Sequence, residues 1–206
     1  MRLNKILYLF LNLNILGCAD PLSEVFTNYK ENKVEIEKAV NYFSEIKPKN
    51  LKLYIRFETE GKIDIEINQR DYWDKNTWDT SKIFDQYGQF QKYDINTDDP
   101  SFLKALRILK LDKEKVEKLK LNLFKAGCNS ISNGFSFSDD VKVGYTRIGY
   151  PTHDLYGLDY IVLEREIEDS IVNKITKACN IKAINKYVLV NYAGPAFGSN
   201  CFPDKR

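Results

Sequence analysis

Residues 109–129, LKLDKEKVEKLKLNLFKAGCN, constrain the fold most, because a helix start, an apolar stripe and a helix stop agree there. Asp112 is placed to accept the free amides of a first turn, and Gly127 stands where a chain leaving a helix commonly needs a left-handed residue. Between them Val116, Leu119, Leu123 and Ala126 recur at helical spacing. Leu121 and Phe124 are expected to widen this stripe beyond a narrow coiled-coil seam, so the helix calls for a sheet or a broad helical face as its partner.

Such a sheet is written upstream. Leu51, Leu53, Ile55 and Phe57 alternate with Lys52, Tyr54, Arg56 and Glu58, and Ile63, Ile65 and Ile67 alternate with Asp64, Glu66 and Asn68. Two half-buried antiparallel strands turning at Glu60 and Gly61 account for both runs. Asp64 and Glu66 then read as members of an exposed sheet face with cross-strand partners, in preference to a catalytic or metal site. Further helices are expected over 33–46, ending ahead of Pro48, over 101–109 behind Asp98 or Asp99 and Pro100, and along Ile167, Ile171, Val172, Ile175 and Ala178. Extended segments are expected over 128–137, 141–148, 160–163 and 187–190. The fold class is α+β: one domain over 33–206, an antiparallel or mixed sheet with about three helices largely on one face.

The first eighteen residues, MRLNKILYLFLNLNILGC, place Arg2 and Lys5 ahead of an apolar run too short to span a bilayer comfortably. That is the architecture of an export signal, and its last four residues, Ile15, Leu16, Gly17 and Cys18, resemble the lipobox of bacterial lipoproteins. The resemblance covers the leader alone. It implies removal of a signal peptide at 1–17 and lipidation of Cys18, with acyl chains such as palmitate tying residues 18–32, an anchor and short tether, to the cell membrane or the outer membrane. Without the leader the 31 Lys and Arg residues fall by two to 29, equal to the 29 Asp and Glu, and a neutral body argues against a nucleic-acid partner.

Within the mature chain, the irregular aromatic stretch over 70–94 singles out Trp73 and Trp78 as ring surfaces for a ligand. A second loop, GYPTHDLYGLD over 149–159, adds Tyr150, His153 and Tyr156. The lone histidine cannot supply the several imidazoles common in catalytic zinc sites, and the glycines at 194 and 198 lack the phosphate-loop and dinucleotide patterns, so no metal, cofactor or catalytic residue is assigned. In an oxidising compartment Cys179 and Cys201 are the favoured disulfide, with a Cys128–Cys179 bridge or three thiols as alternatives. The functional expectation is an exported, lipid-anchored envelope protein that binds a protein, peptide or glycan partner, rather than an enzyme. A membrane-associated hydrolase using Asp or His and a structural component of an envelope assembly stand as alternatives.

Overall fold

The computed structural model of the 206-residue chain describes residues 21–58, 61–69, 89–135, 142–151, 157–193 and 201–202. Helix α1 (Pro21–Ile46) leads into strands β1 (Leu51–Phe57), β2 (Ile63–Gln69) and β3 (Gln89–Ile95). Helices α2 (Pro100–Leu109) and α3 (Lys113–Lys125) follow, then strands β4 (Ser130–Gly134), β5 (Tyr145–Tyr150) and β6 (Gly157–Leu163). A short helix α4 (Asp169–Ile175) and strands β7 (Ile181–Ala183) and β8 (Val188–Ala193) complete the order. The eight strands form one sheet, β3-β2-β1-β4-β5-β6-β8-β7, and each neighbouring pair is antiparallel. The α+β class expected from the sequence is the class observed.

Strand alternation divides the side chains between two faces. On one face Leu53, Ile55, Phe57, Ile63, Ile65, Ile67, Ile131, Ile148, Leu158, Tyr160 and Val190 pack beneath α1, α2 and α3 in the main core. The intervening positions of β6 and β8, Ile161, Leu163 and Leu189, point the other way into a smaller cluster with Val143, Ile167 and the α4 residues Ile171, Val172 and Ile175. Among the described residues three helices thus share one face, and the fourth covers the β5-β6-β8-β7 end of the other.

The helix caps follow local chemistry. Asp112 accepts a hydrogen bond from Lys115 N at 2.8 Å, and Asp99 accepts one from Ser101 N at 2.7 Å ahead of Pro100. Gly127 takes the left-handed conformation, with φ of 67°, just past α3. On α3, Val116, Leu119, Leu123 and Ala126 are buried, but Leu121 and Phe124 are 58% and 46% exposed, so the expected widening of the stripe is corrected. They face outward because the sheet and α1 are reached from the narrower side; Phe124 keeps an edge-to-face contact with Phe57 at 6.4 Å.

Two stretches differ from expectation more deeply. Residues 21–32, assigned to the tether, belong to α1, which continues through a non-helical Asn32 (φ −110°, ψ 15°) into the expected helix. Val25 and Tyr29 are buried in the core, and Tyr160 Oη donates to Val25 O and Asn28 Oδ1, each at 2.8 Å. The apolar spacing Leu22, Val25, Phe26, Tyr29 is helical and outweighs the polar breaks. Likewise β3 forms within the stretch read as irregular; its Phe90 and Ile95 are buried, while the four residues between them are exposed. A register irregularity opposite Ile63 and Ile65, and a positive φ of 57° at Asp94, break its alternation and blunt this sheet edge against pairing with another chain.

Cys179 and Cys201 are joined by a disulfide, 22 residues apart in sequence, and Cys128 is free and buried. Closing a loop of that length removes chain entropy worth about 3 kcal/mol from the unfolded state. The link also seats Phe202, which stacks on Tyr192 at 5.2 Å and reaches the main core.

Asn133 extends the β1–β4 ladder with its side chain. Leu53 N donates to Asn133 Oδ1 at 2.9 Å, and Asn133 Nδ2 donates to Leu51 O at 3.1 Å, at a site only 6% exposed. Asn133→Ala removes both partners and should lower unfolding free energy by about 1 to 3 kcal/mol, read by urea denaturation. A loss below about 0.5 kcal/mol, the scatter of neutral surface substitutions, would contradict this role.

Candidate functional site

Burying Leu53, Ile55 and Phe57 under the helices forces Lys52, Tyr54 and Arg56 to the opposite face, and the same alternation sends Asp64, Glu66 and Asn68 there from β2. The register aligns them in two rows. One runs Asp64, Arg56, Ser130, Gly149, Asp159, Asn191 across five neighbouring pairs. The other runs Glu66, Tyr54, Ser132, Arg147 and then meets Ile161 and Leu189 of the α4-covered cluster. The polar part of this face ends where α4 begins to cover it.

At the β1-β2-β3 end the rows form a shallow depression of about 430 Å³, lined by Lys52, Leu53, Tyr54, Arg56, Asp64, Glu66, Asn68, Tyr93, Ser132 and Asn133. The edge strand fixes both acids. Tyr93 Oη donates to Glu66 Oε1 at 2.6 Å, and Asp94 N donates to Asp64 Oδ1 at 2.8 Å. The carboxylate beside Tyr93, followed by burial, pushes its phenol up to about 12, so it stays a hydrogen-bond donor through neutral pH. Burial raises Tyr54 as well, against the opposing charge of Arg56. Arg56 Nε binds Glu58 Oε1 at 2.8 Å, with its side chain 45% exposed. The depression therefore offers acceptors and donors side by side, with two phenol rings between them.

The adjoining half-buried group is built around Asp159. Its carboxylate lies 3.8 Å from Arg147 Nε, a nitrogen that is buried and finds no hydrogen-bond partner among the described residues. Burial lifts the Asp159 carboxyl above the usual range, and the Arg147 charge and a hydrogen bond from Asn191 oppose that only partly. Asn191 Oδ1 is held in turn by Asn180 Nδ2 at 3.2 Å. Beside it Gly149 leaves the backbone bare, since a Cβ there would collide with Ser130 Oγ and sit 3.4 Å from Asp159 Oδ1. Counting both groups with Glu58, which holds Arg56, three cations (Lys52, Arg56 and Arg147) stand among four acids (Glu58, Asp64, Glu66 and Asp159). A face of mixed sign with a slight acidic excess suits a polar ligand with its own donors and acceptors better than a polyanion.

Of the residues singled out in the sequence, Cys18, Trp73, Trp78, His153 and Tyr156 lie outside the described residues. Tyr150 ends β5; its hydroxyl donates to Glu24 Oε1 at 2.8 Å and its ring packs on the main core, which gives it a part in holding α1. Gln69 and Gln89, which bound the Trp73 and Trp78 segment, sit at the sheet end shared with Leu51, whereas Pro151 and Gly157, which bound the His153 segment, sit at the opposite end, about 20 Å away along a seven-residue strand. The residues flanking the two segments therefore stand at opposite ends of the sheet. Sequence reasoning passed over Tyr54, Arg56, Tyr93, Arg147 and Asp159 as site residues. The signal for Asp159 was present: it is the one acid within GLDYIVL, an otherwise apolar strand.

A carboxyl whose pKa is higher folded than unfolded holds its proton more tightly in the folded state. Stability linked to Asp159 is therefore greatest below its ordinary value of 3.8 and is lost as pH rises through the raised folded value. Asp159→Asn should raise stability at pH 7, and the gain should vanish as pH falls towards 3.8, as read by urea denaturation across pH. A variant less stable than the parent at pH 7 would show instead that the ion pair with Arg147 dominates. No family model matches this chain, and no curated protein or solved structure matches it.

Proposed function

We propose that this chain is an exported, lipid-anchored envelope protein whose mature domain binds a polar partner, a glycan or a peptide, on the uncovered face of its sheet. The observation that carries the binding half of this reading is the unequal cover of the sheet. Among the described residues three helices shield one face, while the other keeps Tyr54, Arg56, Asp64, Glu66 and Tyr93 around a depression with its acids already hydrogen-bonded in place. Groups fixed before a ligand arrives lose little freedom on binding, which favours affinity. Asp159 supports the same reading, since a half-buried acid that burial disfavours is a common mark of a working site.

The address half rests on Arg2, Lys5 and the apolar run closing in Ile15, Leu16, Gly17, Cys18. Among the described residues no helix is long and apolar enough to cross a membrane. In this reading attachment runs through an acylated Cys18.

Two measurements test the halves separately. Expressed in a bacterium, the full chain should show the intact mass of a product beginning at an acylated Cys18 and should fractionate with membranes, whereas Cys18→Ala should do neither; an unlipidated, soluble parent contradicts the address. For recognition, the domain is applied to arrays of neutral oligosaccharides and of short peptides. Arg56→Ala and Glu66→Gln should each weaken the binding found there by about tenfold or more, the loss of about 1.4 kcal/mol expected for a polar contact. Stability should change by no more than about 0.5 kcal/mol. Undiminished binding by both variants would place the site elsewhere.

A further inference from the structure

We propose that the anchor seats the domain directly on the bilayer, sheet-end first. The end carrying Tyr150, Gly157 and Ala193 lies against the lipid headgroups, and the end carrying Leu51, Gln69 and Gln89 faces away. This inference rests on the lipidation of Cys18 and adds a lipid surface as a second contact of the folded body.

The argument is one of chain length. Helix α1 begins at Pro21, and its first turns are fastened to the sheet: Tyr150 Oη donates to Glu24 Oε1, Tyr160 Oη donates to Val25 O and Asn28 Oδ1, and Val25 is fully buried. Only Ala19 and Asp20 separate that fixed body from Cys18. Three Cα-to-Cα steps reach about 10 Å at full extension. The headgroup layer on each side of a bilayer is itself about 5 to 8 Å thick. A cysteine whose acyl chains are in the hydrocarbon therefore cannot release the body by more than a few ångströms.

The same fastening decides which end meets the lipid. Tyr150 pairs with Leu158 at the end of β5, and the register places Gly157 opposite Ala193, Ser130 opposite Gly149 and Phe57 opposite Ile63 at that end. Leu51, Gln69, Gln89 and Tyr145 mark the far end. With strands about 20 Å long standing on the surface, the polar face of the sheet is presented sideways, open to a partner in the surrounding aqueous layer rather than pressed onto lipid.

The test is hydrogen exchange on the full-length lipidated protein in vesicles of phosphatidylethanolamine and phosphatidylglycerol, beside Cys18→Ala mixed with the same vesicles. Backbone amides of Tyr150, Gly157, Leu158, Phe57 and Ile63 should exchange several-fold more slowly in the lipidated protein, and those of 47–51 and 89–92 should be unchanged. A flexible Gly/Ser spacer of roughly 20 residues between Asp20 and Pro21, with a span of about 25 Å, should abolish that protection while leaving the acyl mass in place. Lipid present with no protection of Tyr150, Gly157 and Leu158, or with protection of the 47–51 end, overturns the orientation and leaves the anchor standing. Absence of lipid in the intact mass overturns the anchor and the orientation together.

Discussion

Burial of Leu53, Ile55 and Phe57 beside Ile63, Ile65 and Ile67 is the constraint on which the rest of the structure depends. All six are essentially excluded from water, so sliding one strand by a single residue would turn its three large side chains out and bring charged ones in. Each such residue is worth about 1.5 to 3 kcal/mol of burial, which makes any other register prohibitive. Fixing the register also fixes what stands between these residues. Lys52, Tyr54, Arg56, Asp64 and Glu66 are aligned on the opposite face as a by-product of packing the core.

Among the described residues that face stays open because helical cover is unevenly distributed. The stripes on α1, α2 and α3 all feed the main core, and α4 is short and closes only the β5-β6-β8-β7 end over Ile161, Leu163 and Leu189. The sheet edges are guarded by other means. On one edge β3 carries the irregular register and Asp94, and on the other β7 is three residues long and lies near the Cys179–Cys201 link. What remains for a partner is the face, with its alternating charges and its two phenols, rather than an edge that would accept another strand.

The sequence announced the parts whose causes are local. Asp112, the stripe Val116, Leu119, Leu123 and Gly127 define α3 through contacts within a few residues, and the hairpin of β1 and β2 needs only a period of two and a turn with Gly61 in a positive φ of 77°. The first half of α1 was harder, because Asn28 and Asn32 read as breaks until Tyr160, more than 130 residues away, supplies the partner that holds Val25 and Asn28. Strand β3 was hidden for a different reason: as an edge strand with a shifted register it buries only Phe90 and Ile95 and shows no clean alternation. The polar face lay between these cases. Its residues could be assigned to a solvent side one strand at a time, but their convergence depends on β4 entering between β1 and β5, a long-range choice that periodicity does not encode.

The central claim is that the uncovered sheet face is the recognition surface, and chemical-shift mapping by nuclear magnetic resonance reaches it most directly. Titrating the isotope-labelled mature domain with whichever soluble oligosaccharide or peptide it retains should move the backbone resonances of Tyr54, Arg56, Glu66, Tyr93 and Arg147 together along one saturation curve, while those of α1, α2 and α3 stay in place. Shifts confined to the helical layer, with that strand set unmoved at saturation, would contradict the account.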